Sequence, residues 1–280
     1  VEADQVLKLF EDYSKKGAKS TQRMLKKART KTQEVTLEKL TEFVGGRRRF
    51  INEPPLLVRL NDLLDEGQRA HITPEYVEKS WFEYLSSLPE ERRLLLSRFR
   101  PADVALRVGG VGSVGTRCTI LLLEGGAAED AIILQQKEAG PSVLEAYLPE
   151  HGYINHAHRV VTAQRLMQAA SDIFLGWHQS SLTERQYYWR QLKDMKGSVD
   201  VASLDETGMG TYLAVCSHSL AHAHARTGDS AAIAGYLGKG DTFDKAIADF
   251  ALAYADQTER DHKNLVDAVN SGRIIAQTGI

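Results

Sequence analysis

A glycine-rich loop between two β-type segments limits the folds open to this 280-residue chain more than any other part of its sequence. The loop holds Gly110, Gly112, Ser113 and Gly115 in the pattern Gly-x-Gly-x-x-Gly. In a dinucleotide-binding fold such glycines begin a helix, whose N-terminal amides hold the pyrophosphate. Here the next residues, 116–124, are rich in β-branched and apolar side chains and end at a double glycine. The pattern predicts an antiparallel hairpin with a glycine-rich tip and argues against a Rossmann unit.

A third β-type segment, residues 131–137, ends in the single charge of Lys137. The order strand, glycine-rich loop, strand and lysine-bearing strand is that of protein kinases, in which the loop covers the ATP phosphates and the lysine binds them. One departure is Arg117, because kinases have valine two residues after the last glycine. The sequence predicts a nucleotide-phosphate clamp. Two other interpretations stay open: the glycines form only a tight hairpin, and Lys137 is a strand-end lysine that extends into water.

A kinase lysine is oriented by a carboxylate from the following helix. Glu145, eight residues after Lys137, is the nearest candidate. The segment Ser142-x-x-Glu145 also matches a capping box, in which the glutamate accepts a hydrogen bond from the start of its own helix. Both roles of Glu145 stay open, and Asp172 competes only if the second helix packs over the strand. Residues 191–195 are expected to form the connector beside the adenine.

The recognisable catalytic motifs of a kinase are absent from the sequence. A phosphotransferase needs an aspartate near the acceptor hydroxyl and residues that hold Mg²⁺, yet the chain has no His-Arg-Asp, Asp-Phe-Gly or His-Gly-Asp motif. Asp229 is expected to be a helix N-cap. No metal site is predicted, because His218 and His222 on one helix face do not make up four ligands.

Composition and charge describe an ordinary soluble chain. It is 42% hydrophobic and 26% charged, with a formal net charge of −2 and two cysteines, which fit a reducing compartment. No apolar run approaches the roughly 20 residues that a membrane-spanning helix needs, so a cytoplasmic protein without a membrane partner is expected. Residues 15–31 carry eight Lys and Arg and no acid, but no aromatic residue is interleaved for base stacking. We interpret this segment as a solvated helix face and expect no nucleic-acid partner.

The chain divides by pattern into three segments: residues 1–100 are mainly helical, residues 101–200 form an antiparallel sheet plus helix that carries the nucleotide-binding lobe, and residues 201–280 are helical. Helical stripes are predicted over 35–44, ended by a double glycine, and over 160–174, ended at Gly176. A long helix is predicted from Asp241 towards Asn270. The predicted fold class is α+β: a kinase N-lobe-like antiparallel sheet with a glycine-rich loop, flanked by helical segments on both sides.

Seven longer stretches resemble a bacterial family known as domain of unknown function 2252. They are VGSVGTRC at 111–118, LQQKEA at 134–139, SVLE at 142–145, QRLMQAASDIFLGW at 164–177, RQLKDMKGS at 190–198, AHAHARTGD at 221–229 and IAGYLGK at 233–239. The resemblance covers essentially the whole chain. It implies a grouping with protein-kinase-like and aminoglycoside-phosphotransferase-like folds. Complete members resemble a circularly permuted kinase, in which Gly-Asp-x-His…Asn-Phe-Gly and Asp-Phe-Asp stretches precede the glycine-rich loop and the lysine.

The resemblance also implies that this chain lacks its first part, since it starts with Val1 in place of a methionine. The catalytic aspartate and the Mg²⁺ ligands would then lie upstream of Val1. Thr162 stands where the family's helix is expected to carry glutamate. The expected function is the C-terminal part of an ATP- and Mg²⁺-dependent phosphotransferase with an unknown phosphoryl acceptor, inactive as this chain alone. One alternative is a non-catalytic, pseudokinase-like nucleotide-binding module that acts through partners. Another is a helical nucleic-acid-binding protein with a β-insert.

Overall fold

The computed structural model describes residue 26 and residues 33–67, 73–110, 115–127, 130–149, 152–192 and 199–276. Backbone contacts divide the chain into two compact units, Val1–Arg226 and Thr227–Ile280. Among the described residues, no helix is both long and apolar enough to cross a membrane.

Within the described residues of the first unit, eight strands form two antiparallel sheets. They are β1 Thr41–Val44, β2 Arg47–Phe50, β3 Leu57–Arg59, β4 Arg100–Arg107, β5 Cys118–Glu124, β6 Ala131–Ala139, β7 Gly176–Gln179 and β8 Gln186–Gln191. Strands β1 and β2 form a hairpin, and the other six form the main sheet in the order β3-β4-β5-β6-β8-β7. The class is therefore α+β with antiparallel sheets, as predicted.

Eight helices accompany these strands in the described part of the chain. They are α1 Gln33–Leu40, α2 Leu60–Leu63, α3 Pro74–Ser86, α4 Glu90–Leu96, α5 His156–Met167, α6 Glu206–Thr227, α7 Ser230–Leu237 and α8 Thr242–Asn270. Asp229 caps α7 by accepting from the backbone N–H groups of Ala231 and Ala232, as predicted. Gly272, at φ +75°, follows the end of α8, as expected for a glycine stop.

The main sheet buries apolar side chains on both faces. On one, the Lys137 face, Ile120, Leu122 and Ile133 pack with Leu37 of α1 and Phe50 of β2. The other is named the Trp189 face, and its apolar residues pack with α3 and α4; this cluster comprises Leu121, Leu123, Leu134, Trp189, Tyr84, Leu85, Leu88 and Leu96. Because strand side chains alternate, odd-numbered residues of β6, including Lys137, share the face of Ile133.

Two helices are shorter than the apolar patterns at helical spacing from which they were predicted, over residues 35–44 and 160–174. Helix α1 ends at Leu40, and residues 41–44 form β1, because Gly45 and Gly46 at φ +60° and +78° turn the chain into a hairpin. Helix α5 ends at Met167, and Gly176 is the first residue of β7. The predicted mainly helical segment 1–100 also contributes β3, which pairs with β4.

Candidate functional site

Lys137 lies beside the base of the glycine-rich loop. It is directly opposite Cys118, the first residue of β5 after the loop, and the next backbone N–H, of Glu138, donates to the Arg117 carbonyl at 2.9 Å. The loop lies between the antiparallel neighbours β4 and β5, so its glycines lead into a strand. Gly110 and Gly115 have φ values of +96° and +86°, a conformation that glycine adopts without steric cost. The predicted site residues Gly112 and Ser113 lie outside the described residues.

The surface next to Lys137 is polar. Cys118, Lys137 and Tyr188 are opposite one another on three neighbouring strands, so their side chains share the Lys137 face. The next opposed pair on this face is Gln135 and Arg190. The Gln135 amide donates to the Cys118 Sγ at 3.2 Å, and Arg190 Nη2 donates to Gln135 Oε1 at 3.4 Å. The face thus presents two cations and an amide in a row.

The positive charge of this row is not balanced by a nearby acid. Among the described residues, no carboxylate lies within 4 Å of the Lys137 ammonium or the Arg190 guanidinium. The Nε of Arg190 is buried and has no hydrogen-bond partner in that part of the chain. Burial raises the pKa of the Tyr188 phenol, although the charge of Arg190 acts in the opposite direction. The phenol therefore stays neutral at pH 7 and contributes no negative charge.

Helix α5 packs on the Lys137 face. Trp177 is opposite Tyr188 and so lies on this face, and the His158 ring of α5 is 5.3 Å from the Trp177 ring. Arg159 of α5 donates to the carbonyl of Gly140, just after β6, at 2.9 Å. The helix contains neither Asp nor Glu, so it offers no carboxylate to Lys137.

Glu145 lies in the connection between β6 and α5. Its Oε1 accepts a hydrogen bond from the Ser142 backbone N–H at 2.8 Å, the bond that the capping-box interpretation predicts, but residues 143–147 form turns and not the expected helix. The same oxygen is 3.5 Å from Arg159 Nε and 3.5 Å from His156 Nδ1. These contacts hold the connection against α5. No ion pair joins Glu145 to Lys137 in the described structure, and an orienting role for Glu145 stays a prediction.

Two other carboxylates are engaged elsewhere. Glu138 lies on the Trp189 face by alternation, accepts from the Arg117 backbone N–H at 3.1 Å and pairs with the Arg185 guanidinium. Asp172 accepts from the backbone N–H of Phe174 at 2.9 Å and of Gln191 at 3.0 Å. It therefore fixes the end of β8. Beyond Leu192 the predicted connector lies outside the described residues.

The sequence reasoning missed Arg190 and Gln135 as site residues. Alternation within β8 separates Tyr188 and Arg190 from Tyr187 and Trp189, and this signal was available in the sequence. The alternation within β8 indicates a site only when the register between β6 and β8 is known, because the register sets which residues of β8 are opposite Lys137 and Gln135.

A second feature, also missed, is an open cavity of 560 Å³ between α3 and β7. Its lining comprises Phe82, Glu83, Ser86, Trp177, His178, Gln179, Ser180, Ser181 and Glu184. His178 is 2% exposed, and burial lowers its pKa to about 4. No group of three or more metal-ligating side chains occurs within the described ranges.

Comparison with known protein families identifies a match for nearly the whole chain. Over residues 2–268 the chain matches the model of a family described as an uncharacterized protein conserved in bacteria, DUF2252. Neither a curated protein nor a solved structure matches the chain.

Proposed function

This chain belongs to the bacterial DUF2252 family, and we propose that it carries the nucleotide-phosphate clamp of a kinase-like, ATP-binding phosphotransferase. The position of Lys137 opposite Cys118, at the base of the glycine-rich loop, carries the proposal. A cation at this place meets the phosphates of a nucleotide that the loop amides cover. The phosphoryl acceptor is not identified by the residues of this chain.

The order of the elements supports the proposal. The loop hairpin β4–β5 is followed by the lysine strand β6, then by α5 and by strands β7 and β8. This order matches the parts of a kinase nucleotide lobe, with the lysine on the third strand and a helix after it. Since β6 lies between the loop hairpin and β8, a nucleotide with its phosphates at Lys137 would extend along the Lys137 face towards the end of β8.

One departure from the kinase pattern bears on the mechanism. Active protein kinases need an ion pair between the lysine and a glutamate of the following helix, whereas α5 has no acidic residue. Among the described residues no carboxylate pairs with Lys137, so its charge is available to phosphate, and no orienting ion pair forms there. The lack of an acid in α5 is the observation that favours a second candidate function, a non-catalytic nucleotide-binding module.

The test is calorimetric titration of ATP with Mg²⁺ into the chain and into the variants Lys137→Ala and Lys39→Ala. Lys39 is an exposed lysine of α1 and serves as the control. We expect binding that weakens at least tenfold in Lys137→Ala and changes less than twofold in Lys39→Ala. At 100 times its dissociation constant, ATP should stabilise the fold by about 2.7 kcal/mol. Equal affinity in both variants, or no binding by a cooperatively folding chain, would refute the clamp.

A second measurement separates the two candidate functions. A family member that includes the Asp-Phe-Asp and Gly-Asp-x-His stretches is assayed for loss of the ATP γ-phosphate, next to its ATP affinity. Turnover that disappears with the lysine variant supports a phosphotransferase. Binding without turnover supports the non-catalytic module.

A further inference from the structure

The cavity between α3 and β7 lies at the free edge of the main sheet. Strand β7 is the last in the strand order and pairs only with β8. The Ser180 backbone N–H donates to the Arg185 carbonyl at 2.8 Å, so even-numbered residues of this strand bond to β8. The backbone groups of Trp177 and Gln179 therefore point away from β8, because antiparallel strands alternate their bonding direction.

Part of this edge is already used by the protein itself. The Trp177 N–H donates to Ser87 Oγ at 2.8 Å, at the end of α3. For the Gln179 N–H and the carbonyl groups of Trp177 and Gln179, the described structure shows no hydrogen bond to another part of the chain. An unpaired edge of this kind is a template for another extended chain.

The cavity wall is acidic and aromatic. Glu83 of α3 and Glu184 of the turn after β7 both line it, and none of the described Lys and Arg residues does. The partner of Glu83 is Lys79, at the long distance of 4.0 Å, and Glu184 forms no ion pair among the described residues. Phe82 exposes 69% of its surface at the same wall. Two carboxylates beside an exposed ring favour a cationic group.

A histidine ring also lines the cavity. His178 Nδ1 accepts a hydrogen bond from Trp189 Nε1 at 2.8 Å, so the ring proton of the neutral imidazole is on Nε2. Nε2 forms neither a hydrogen bond nor an ion pair in the described part of the chain, although the residue is only 2% exposed. Because His178 lines the cavity, this N–H can donate to a peptide carbonyl bound there.

We propose that the cavity binds an extended peptide with a Lys or Arg side chain. The peptide adds a strand to β7 through the free backbone groups of Trp177 and Gln179, a common mode of peptide recognition. Its basic side chain lies between Glu83 and Glu184 against the Phe82 ring. The site lies apart from the nucleotide clamp and does not depend on it.

The test uses the capped peptide Arg-Thr-Arg-Thr-Arg as the probe, titrated by calorimetry. The matched peptide has citrulline, which is uncharged, in place of each arginine. The variant Glu83→Gln/Glu184→Gln is compared with Glu38→Gln/Glu78→Gln, which removes the same charge from exposed glutamates outside the cavity. We expect the cavity variant and the citrulline peptide each to bind at least tenfold more weakly, and the control variant to differ by less than twofold.

Strand addition has its own readout. Arginine amide is titrated as a free cation, and probes N-methylated at alternate residues remove the backbone donors. We expect arginine amide to bind at least tenfold more weakly than the unmethylated peptide. One of the two N-methylation patterns should abolish peptide binding, and the backbone amide resonance of Gln179 should shift when the unmethylated peptide binds. Equal affinity for arginine amide would reduce the site to a small-cation cavity and overturn the proposal. Equal losses in the cavity and control variants, or no binding, would overturn it as well.

Discussion

Trp189 Nε1 donates a hydrogen bond of 2.8 Å to His178 Nδ1 on the buried Trp189 face of the sheet. The bond joins the edge strand β7 to β8, and it requires Nδ1 to be unprotonated. Burial also disfavours the charged imidazolium and lowers the pKa of His178 to about 4. The two effects agree: His178 is a neutral, fixed side chain at physiological pH.

This arrangement predicts how stability depends on pH. The imidazole has a pKa of about 6.5 in the unfolded chain, so between pH 6.5 and pH 4 the unfolded state binds more protons than the folded state. The contribution of the neutral His178 to the free energy of unfolding is therefore complete above pH 6.5. It is lost as the pH falls towards 4, and the total loss is about 3 kcal/mol. Urea unfolding at pH 7, 5.5 and 4.5 measures this loss.

Because carboxylates also titrate in this range, the control is His178→Gln, which carries no titrating group. The difference in unfolding free energy between the chain and this variant should shrink as the pH falls from 6.5 to 4. A difference that is constant over this range would show that His178 does not titrate as expected.

Gly176 is expected to tolerate no side chain. A Cβ at this position would lie 2.6 Å from Ser87 Oγ, 2.7 Å from Tyr84 Cε2 and 2.8 Å from Leu88 Cδ2. We expect Gly176→Ala to lower the free energy of unfolding by about 2–3 kcal/mol, since overpacking typically costs 1–3. Gly126→Ala, where a Cβ meets nothing within 4 Å, is the control. Equal unfolding midpoints in urea for the two variants would contradict the expectation.

The glycine-rich loop can be tested through its backbone conformation. Gly110 and Gly115 have positive φ values, whereas Gly109 does not, and a Cβ at any of the three would meet nothing within 4 Å. Alanine at a left-handed position costs about 1–2 kcal/mol. We expect Gly110→Ala/Gly115→Ala to lower ATP affinity about tenfold and Gly109→Ala to leave it unchanged, as measured by calorimetry. Lower stability with unchanged ATP affinity would make the loop a structural hairpin only.

Asp103 joins the β1–β2 hairpin to the main sheet. Its Oδ2 accepts from the Phe50 backbone N–H at 2.8 Å, and its Oδ1 from the Val104 N–H at 2.9 Å. Burial raises the pKa of this carboxyl, while the two N–H donors oppose the rise. We expect Asp103→Ala to cost about 3 kcal/mol, because the N–H of the fully buried Phe50 loses its acceptor.

Two further variants check that the loss comes from these hydrogen bonds. Asp103→Asn keeps one acceptor oxygen and should cost less than Asp103→Ala. Asp62→Ala removes an exposed ion pair with Arg59 and should cost less than about 1 kcal/mol. Urea unfolding of the three variants measures the loss of unfolding free energy in each, and the loss should be largest for Asp103→Ala. A smaller loss in Asp103→Ala than in Asp62→Ala would refute the interpretation.

Much of the local structure could be predicted from the sequence because it depends on neighbours in the chain. Runs of β-branched and apolar side chains predicted β5 and β6, and the helical character of residues 201–280 was predicted as well. The capping bond of Glu145 to Ser142 and the N-cap at Asp229 involve residues within three positions of each other. The predictions failed where an apolar stripe was continued too far. Residues from Thr41 onwards form β1, because Gly45 and Gly46 turn the chain into a hairpin, and Gly176 belongs to β7, where it packs against Tyr84 of α3.

The order strand, loop, strand and lysine could be predicted because it is a pattern along the chain. In contrast, the fold is needed to place Lys137 opposite Cys118, to bring Arg190 to the same face, and to pack α5, which has no carboxylate, on that face. Contacts of this kind join residues separated by 19 to 55 positions, as in the pairs Cys118–Lys137 and Gln135–Arg190 and in the bond from Phe50 to Asp103. Strand register and packing set such contacts, and neither is encoded in the local pattern of side chains.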